Sequence, residues 1–265
     1  AFFGVMVGEG EETFHELAGY YIERKPETLS GIRGVAFRDE NKGRDIVHTG
    51  WRELMDLSKV PFAYSNLTEF KNRIIYYESS RGCPFSCSYC LSSIDKKLRF
   101  RDIELVKKEL QFFIDNKVPQ VKFVDRTFNC KHDHAMEIWR YITEHDNGIT
   151  NFHFEISADL LRAEELALMK TMRPGLIQLE IGVQSTNPQT IKAIRRTMDF
   201  EKLKGIVEQI HSFGNIHQHL DLIAGLPYEG YDSFHKSFCD VYALRPEQFQ
   251  LGFLKVLKGS HMMEM

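Results

Sequence analysis

The feature that most constrains the fold is a regular alternation of β-rich and helical segments between Arg73 and Val256. The β-rich segments read RIIYYES, VKFVD, NFHFEIS, LIQLEIGV, HQHLDLIAG and FQLGFLKV. The first segment between them, IELVKKELQFFID, carries apolar residues at helical spacing, and the later ones repeat this pattern. Strict alternation of strand and helix predicts a parallel sheet with right-handed crossovers.

Six such units suit either a doubly wound layer or an incomplete (β/α) barrel, and chain length does not distinguish the two. In both architectures the residues that follow the C-terminal ends of the strands form the active site. The strands read as nearly continuous apolar runs. We therefore expect both faces of the sheet to be covered.

The sequence before Arg73 has a different pattern of elements from the core, and we assign it to an N-terminal appendage. AFFGVMVGEGEETFHEL reads as a strand, a glycine turn and a helix with no elements before them, and GIRGVAFRDENKGRDIVHTG reads as a small hairpin with the polar turn DENKG. Pro61 begins a connector. The expected division is an N-terminal appendage at 1–70, left from a truncated domain, a core at 71–258, and a tail at 259–265 whose GSHM resembles a cloning remnant.

Charge and hydropathy exclude some classes of function. The formal net charge is −3, so binding nucleic acid through bulk electrostatics is not indicated. No apolar run approaches the roughly 20 residues that a membrane helix needs, and the start lacks a signal-peptide pattern. We expect a cytoplasmic protein that does not contact a membrane.

Three of the five cysteines lie in RGCPFSCSYC, which follows the first strand of the core. Cys83, Cys87 and Cys90 have the spacing C-x3-C-x2-C, and thiolates at such spacing suit zinc or an iron-sulfur cluster. Structural zinc needs a fourth ligand, for which His132 and His134 in a later loop are the nearest candidates. A [4Fe-4S] cluster on three thiolates leaves one iron open to a ligand.

This cysteine motif, with Tyr89 directly before its last cysteine, resembles the signature of the radical S-adenosylmethionine (SAM) superfamily. The resemblance implies an α/β fold, a partial (β/α)6 TIM-like barrel with a small N-terminal appendage. It also implies a [4Fe-4S] cluster on Cys83, Cys87 and Cys90 whose open iron binds SAM. Reductive cleavage of SAM then gives a 5′-deoxyadenosyl radical that abstracts hydrogen from a substrate that the sequence does not identify.

Further motifs resemble the branch that contains oxygen-independent coproporphyrinogen oxidase and the cobalamin-dependent radical SAM enzymes. These motifs are IGVQS at 181–185, an arginine at 196 and DLIAGLP at 221–227. The resemblance implies that Gln184, Arg196, Asp221 and the strand-end Glu155 contact SAM, with Tyr89 against the adenine. A planar guanidinium suits the SAM carboxylate, and the neighbouring Arg195 competes for that role.

Two departures from the family pattern bear on these roles. The second core strand ends in VKFVDRTFN, where the superfamily usually has a Gly-Gly-Glu-like segment. Asp125 is the candidate that binds the ammonium group of SAM. Arg126 is a candidate to contact the substrate or a second cofactor. Ser92 stands where anaerobic coproporphyrinogen oxidase has a further cysteine, so that reaction is not supported.

The resemblance also implies partners: SAM, an unknown substrate, and a reductant such as flavodoxin or ferredoxin. VGEGEETF resembles the end of a cobalamin-binding domain, but the Asp-x-His-x-x-Gly element that supplies the lower cobalamin ligand is absent. Cobalamin is therefore an optional cofactor of the intact chain, whose domain we expect to have been removed. The alternative function is a non-catalytic metal-binding α/β interaction module that holds zinc or a structural iron-sulfur cluster.

Overall fold

The structure, a computed structural model, describes residues 3–25, 28–39, 43, 45–71, 73–93 and 96–264. The chain divides into two compact units, Ala1–Pro61 and Phe62–Met265. The second unit thus begins before residue 71, where the core was expected to start. The reason is that the rings of Phe62 and Tyr64 pack against Phe113, with centroids 5.4 and 5.6 Å apart.

The first unit is a small antiparallel sheet with one helix. Its elements are β1 (Gly4–Met6), α1 (Glu11–Glu23), β2 (Val35–Asp39) and β3 (Asp45–His48). The sheet order is β1-β2-β3, so the predicted strand, helix and hairpin are confirmed. Within the predicted DENKG turn, residues 40–42 lie outside the described residues.

The second unit contains the remaining strands and helices. The strands are β4 (Ile75–Tyr77), β5 (Ser80–Arg81), β6 (Arg99–Phe100), β7 (Gln120–Phe123), β8 (Asn151–Ile156), β9 (Ile177–Gln184), β10 (His217–Ala224) and β11 (Gln248–Phe253). The helices are α2 (Ile103–Asp115), α3 (His132–Glu144), α4 (Ala163–Thr171), α5 (Pro188–Ala193), α6 (Phe200–Phe213) and α7 (Tyr231–Tyr242). In the described part of the chain, every helix falls short of the length and apolarity that a membrane crossing requires.

The main sheet settles the choice between the two α/β architectures. Its strand order is β11-β10-β9-β8-β7-β4, and each neighbouring pair is parallel. A doubly wound sheet reverses its strand order at a switch point, whereas here the spatial order follows the chain order from one edge to the other. The predicted partial barrel is therefore confirmed.

The two faces of the sheet differ in polarity, although the strands were read as apolar on both. Along β9 the buried residues alternate with half-buried ones, and the half-buried residues include Gln178, Glu180 and Gln184. The other face packs on the helices, where Phe123, Phe128, Trp139 and Phe154 are fully buried. Each such ring contributes on the order of 2 kcal/mol through burial. The helices thus cover one face, and the other presents polar side chains.

The tail is packed against the second unit. Met262 is buried beside Ile191, Ile194 and Leu226, and its backbone N–H donates to the carbonyl oxygen of Ser88 at 2.9 Å. The described tail residues therefore contact the segment that carries the cysteines.

Candidate functional site

A solvent-open cavity lies where the cysteine loop meets the C-terminal ends of β8, β9 and β10. Eight of the nine residues predicted for the site line it: Cys83, Cys87, Cys90, Tyr89, Glu155, Gln184, Arg196 and Asp221. The structure thus brings together side chains that are up to 138 positions apart in the sequence, since 221 − 83 = 138.

The cysteine loop is closed at its base by a two-stranded ribbon. Strand β5 pairs with β6, which places Ser80 opposite Phe100. Gly82 follows the ribbon with φ +97°, and a Cβ there would lie 2.6 Å from the carbonyl oxygen of Lys97. Only glycine fits this position without strain. Cys83 and Cys87 are buried and Cys90 is half-buried.

The three cysteine Sγ atoms do not all lie within 4.8 Å of one another. The described residues contain one compact group of possible metal ligands, which consists of Glu180, His219 and Asp221. The three cysteines do not form such a group. Tetrahedral zinc with Zn–S bonds of about 2.3 Å would hold its sulfurs about 4 Å apart.

The two histidines considered as a fourth zinc ligand are engaged elsewhere. The His134 Nε2 atom lies 3.1 Å from Ser79 Oγ. His132 lies between two carboxylates, with Nε2 2.6 Å from Glu164 and Nδ1 3.0 Å from Glu165. Burial lowers the pKa of His134 to about 4. Neither ring is directed at the cysteine loop by these contacts.

The structure places Asp125 behind the cysteine loop, and the described residues that line the cavity do not include it. Its buried carboxylate accepts hydrogen bonds from the N–H and Oγ of Ser79, at 3.0 and 2.7 Å, and from Ser80 Oγ. Burial raises its pKa to about 6, against the effect of these hydrogen bonds. These contacts hold the start of the loop, whereas the following Arg126 and Thr127 reach the cavity.

Arg196, and not its neighbour Arg195, reaches the cavity. Its Nη2 donates to the carbonyl oxygen of Gly182, and its Nη1 lies 3.5 Å from Tyr89 Oη and 3.9 Å from Cys87 Sγ. Its Nε is buried and has no hydrogen-bond partner among the described residues. Arg195 is exposed.

Gln184 is directed into the cavity by a local irregularity of β9. Its φ is +72°, which is uncommon for a residue other than glycine. The register with β10 shifts here, because Asp221 pairs with Gly182 and Leu222 with Gln184. Such bulges redirect side chains next to functional sites. The Oε1 of Gln184 is buried without a hydrogen-bond partner in the described part of the chain.

A family model described as the Radical SAM superfamily matches residues 77–239, which is more than half of this chain. The chain belongs to the radical SAM superfamily. The predicted recognition is confirmed.

Three comparisons extend the radical SAM assignment. An uncharacterized methyltransferase of Pyrococcus horikoshii is 25% identical over 85% of this chain and 49% of its own length. The cobalamin-dependent radical SAM methyltransferase TokK of Streptomyces tokunonensis is 25% identical over 86% of this chain and 35% of its own. The radical SAM methyltransferase TsrM of Kitasatospora setae shares the fold, with a TM-score of 0.77 and 18% identity over 98% of this chain and 54% of that one. This chain thus spans half or less of the two curated relatives' lengths.

Next to the radical SAM cavity lie polar residues that sequence reasoning did not select, and of these Glu180 lines the cavity itself. Lys122, His153, Glu180 and His219 lie on the polar face of the sheet, on strands β7 to β10. Lys122 Nζ lies 2.8 Å from Glu180 Oε2 and 3.9 Å from Glu155 Oε1, and His153 Nε2 lies 3.0 Å from Glu180 Oε2. The hydrogen bond from His153, together with Lys122, lowers the pKa of Glu180 to about 2. The alternation of polar and apolar residues in IQLEIGVQ was the signal that could have found this face.

Replacing Gly182 with alanine tests whether Gln184 serves a ligand of this radical SAM cavity. A Cβ at Gly182 would overlap Gln184 Nε2, so the amide has to move. We expect Gly182→Ala to weaken SAM binding by about 10-fold, as when one hydrogen bond is lost. Gly205→Ala on exposed α6, where a Cβ meets nothing within 4 Å, is the control. Equal SAM affinity of both variants in equilibrium titrations would rule out this role of Gln184.

Proposed function

We propose that Cys83, Cys87 and Cys90 hold a [4Fe-4S] cluster and that the chain cleaves SAM reductively to abstract hydrogen from an organic substrate. One observation carries the proposal: the three thiols open into the same cavity as Glu155, Gln184, Arg196 and Asp221. A cavity that joins soft metal ligands with hydrogen-bonding groups suits a cluster and a polar cosubstrate together.

The residues present fit the cluster. A cube binds each thiolate to a different iron, so its ligands do not need the close approach that one zinc ion imposes. Arg196 Nη1 lies 3.9 Å from Cys87 Sγ and places a positive charge beside that ligand. Thr127 Oγ1 lies 3.7 Å from Cys83 Sγ and offers a hydrogen bond to that sulfur. When bound, the cluster supplies the electron that cleaves the SAM sulfonium.

The residues around the thiols fit SAM. Gln184 Oε1 and Arg196 Nε are buried polar atoms without partners among the described residues, and such atoms are costly unless a ligand satisfies them. We propose that Arg196 binds the SAM carboxylate, that Asp221 accepts from the ribose hydroxyls, and that Glu155 and Gln184 complete the polar contacts. Tyr89 packs against the adenine, and Asp125 holds the loop rather than the ammonium.

We further propose that the protein uses cobalamin and transfers a methyl group. The support comes from the relatives, since TokK is a cobalamin-dependent radical SAM methyltransferase and the match covers 86% of this chain. The reductant is a one-electron donor of the flavodoxin or ferredoxin type.

Anaerobic reconstitution with iron and sulfide tests the proposal. The chain should take up about four irons, as a [4Fe-4S] cluster requires, and should release 5′-deoxyadenosine from SAM when a reductant is added. Metal uptake without any 5′-deoxyadenosine would instead favour the non-catalytic module.

A further inference from the structure

His219 is a buried polar side chain that the proposed chemistry does not use. It lies on β10 two residues before Asp221, so both side chains point to the same face of the sheet. His219 is only 5% exposed. Its Nε2 lies 3.0 Å from Asp221 Oδ1, an ion-pair contact in which neither atom meets hydrogen-bond geometry with any described residue. Asp221 lines the cavity and His219 does not, so His219 contacts Asp221 from behind.

The charged neighbours of His219 leave Asp221 as its direct partner. In register with His219 lie Glu180 on β9 and the neutral Gln248 on β11. Glu180 already has Lys122 and His153 within 3.0 Å. The contact with Asp221 and the negative charge of Glu180 raise the pKa of His219, although burial and the charge of Lys122 oppose them.

We propose that His219 is a positioning residue that holds Asp221 Oδ1, so that Oδ2 is presented to a ligand with paired hydroxyl groups. The inference rests on the proposed function, because the ribose of SAM is the hydroxyl-bearing group in question. Protonated His219 places a positive charge 3.0 Å from Asp221 Oδ1, which attracts the carboxylate more strongly than a neutral imidazole does. Ligand affinity therefore depends on a side chain that the ligand does not touch.

The sign of the pH dependence follows from this pairing. Because the folded pKa of His219 is raised, the imidazolium is present at pH 6 and is lost as pH rises through that folded pKa. We expect the affinity of cluster-free protein for S-adenosylhomocysteine to fall by about 3- to 10-fold between pH 6 and 9, as when one partner of a buried ion pair loses its charge.

The test compares His219→Gln with His217→Gln by equilibrium titration at several pH values. His217 lies on the same strand and face, two residues further from Asp221, and does not line the cavity. His219→Gln should bind more weakly at pH 6 and lose the pH dependence, whereas His217→Gln should keep both. A wild-type pH profile in His219→Gln, or the same change in both variants, overturns the inference.

A second measurement does not depend on ligand binding. Titration of the imidazole signals by NMR in the cluster-free chain should show the pKa of His219 falling toward its ordinary value in Asp221→Asn. An unchanged value overturns the inference. So does a gain in thermal stability with zinc or manganese ions that His219→Gln abolishes, because Glu180, His219 and Asp221 would then be a metal site.

The proposed function and the positioning role of His219 can be contradicted separately. If wild-type protein neither binds S-adenosylhomocysteine nor cleaves SAM, the proposed function fails. If it does both and the His219 variant behaves like it, only the positioning role fails.

Discussion

Cys87→Ala should abolish cluster assembly and reduce SAM cleavage to background while leaving the α/β fold intact. The thiol lies on a loop at the mouth of the barrel, outside the aromatic core that joins helices and sheet. Removing one of three ligands leaves two thiolates, which cannot hold the cube at three corners. Iron content, the visible absorbance of the cluster and the yield of 5′-deoxyadenosine measure the loss, and circular dichroism measures the fold.

Cys239→Ala is the matched control for this substitution. Cys239 is exposed on α7 and does not line the cavity among the described residues. The Cys239→Ala variant should retain about four irons per chain, as the cube requires. Normal SAM cleavage by Cys87→Ala, or equal loss in both variants, would contradict the ligand assignment.

Gly82→Ala should also abolish cluster assembly, although it removes no ligand. The residue has φ +97°, and the added Cβ would lie 2.6 Å from Lys97 O and 3.0 Å from Lys97 C. These are backbone atoms, so the clash cannot be relieved by a side-chain rotation. The left-handed backbone adds about 1–2 kcal/mol of strain. Because Cys83 follows directly, the loop has to move a ligand to accept the methyl group.

Gly214→Ala separates the clash from the backbone strain. Gly214 ends α6 with φ +68°, and a Cβ there meets nothing within 4 Å. Its alanine variant should lose about 1 kcal/mol of unfolding free energy and keep the cluster. Thermal unfolding and iron content distinguish the two variants. Retention of a full cluster by Gly82→Ala would show that the loop accommodates the methyl group.

The fold followed from sequence because its signals are local. The apolar spacing of IELVKKELQFFID predicted a helix, and α2 covers that segment, with Asp102 Oδ1 accepting from the N–H groups of Glu104 and Leu105 at its start. The six-fold alternation predicted the parallel sheet. Sequence alone did not choose between a layer and a barrel, because that choice depends on which strands pair, and pairing is a long-range property.

The site residues were harder to predict where a residue's role depends on the direction in which its side chain points. Arg195 and Arg196 are adjacent and chemically identical, and only the backbone directs Arg196 toward Gly182 and leaves Arg195 exposed. Asp125 ends a strand as the family pattern requires, but the serines of the cysteine loop satisfy its carboxylate. The polar face was missed because the strands were read as apolar runs rather than as alternating sequences.

Electron paramagnetic resonance of the reconstituted, reduced protein, recorded with and without SAM, tests most directly whether the cluster has an open iron. We predict a [4Fe-4S]⁺ signal whose g-values shift when SAM is added, and no signal in Cys87→Ala. A cluster signal that SAM leaves unchanged, or oxygen-free protein that assembles no cluster at all, would contradict the binding of SAM to a cluster on Cys83, Cys87 and Cys90.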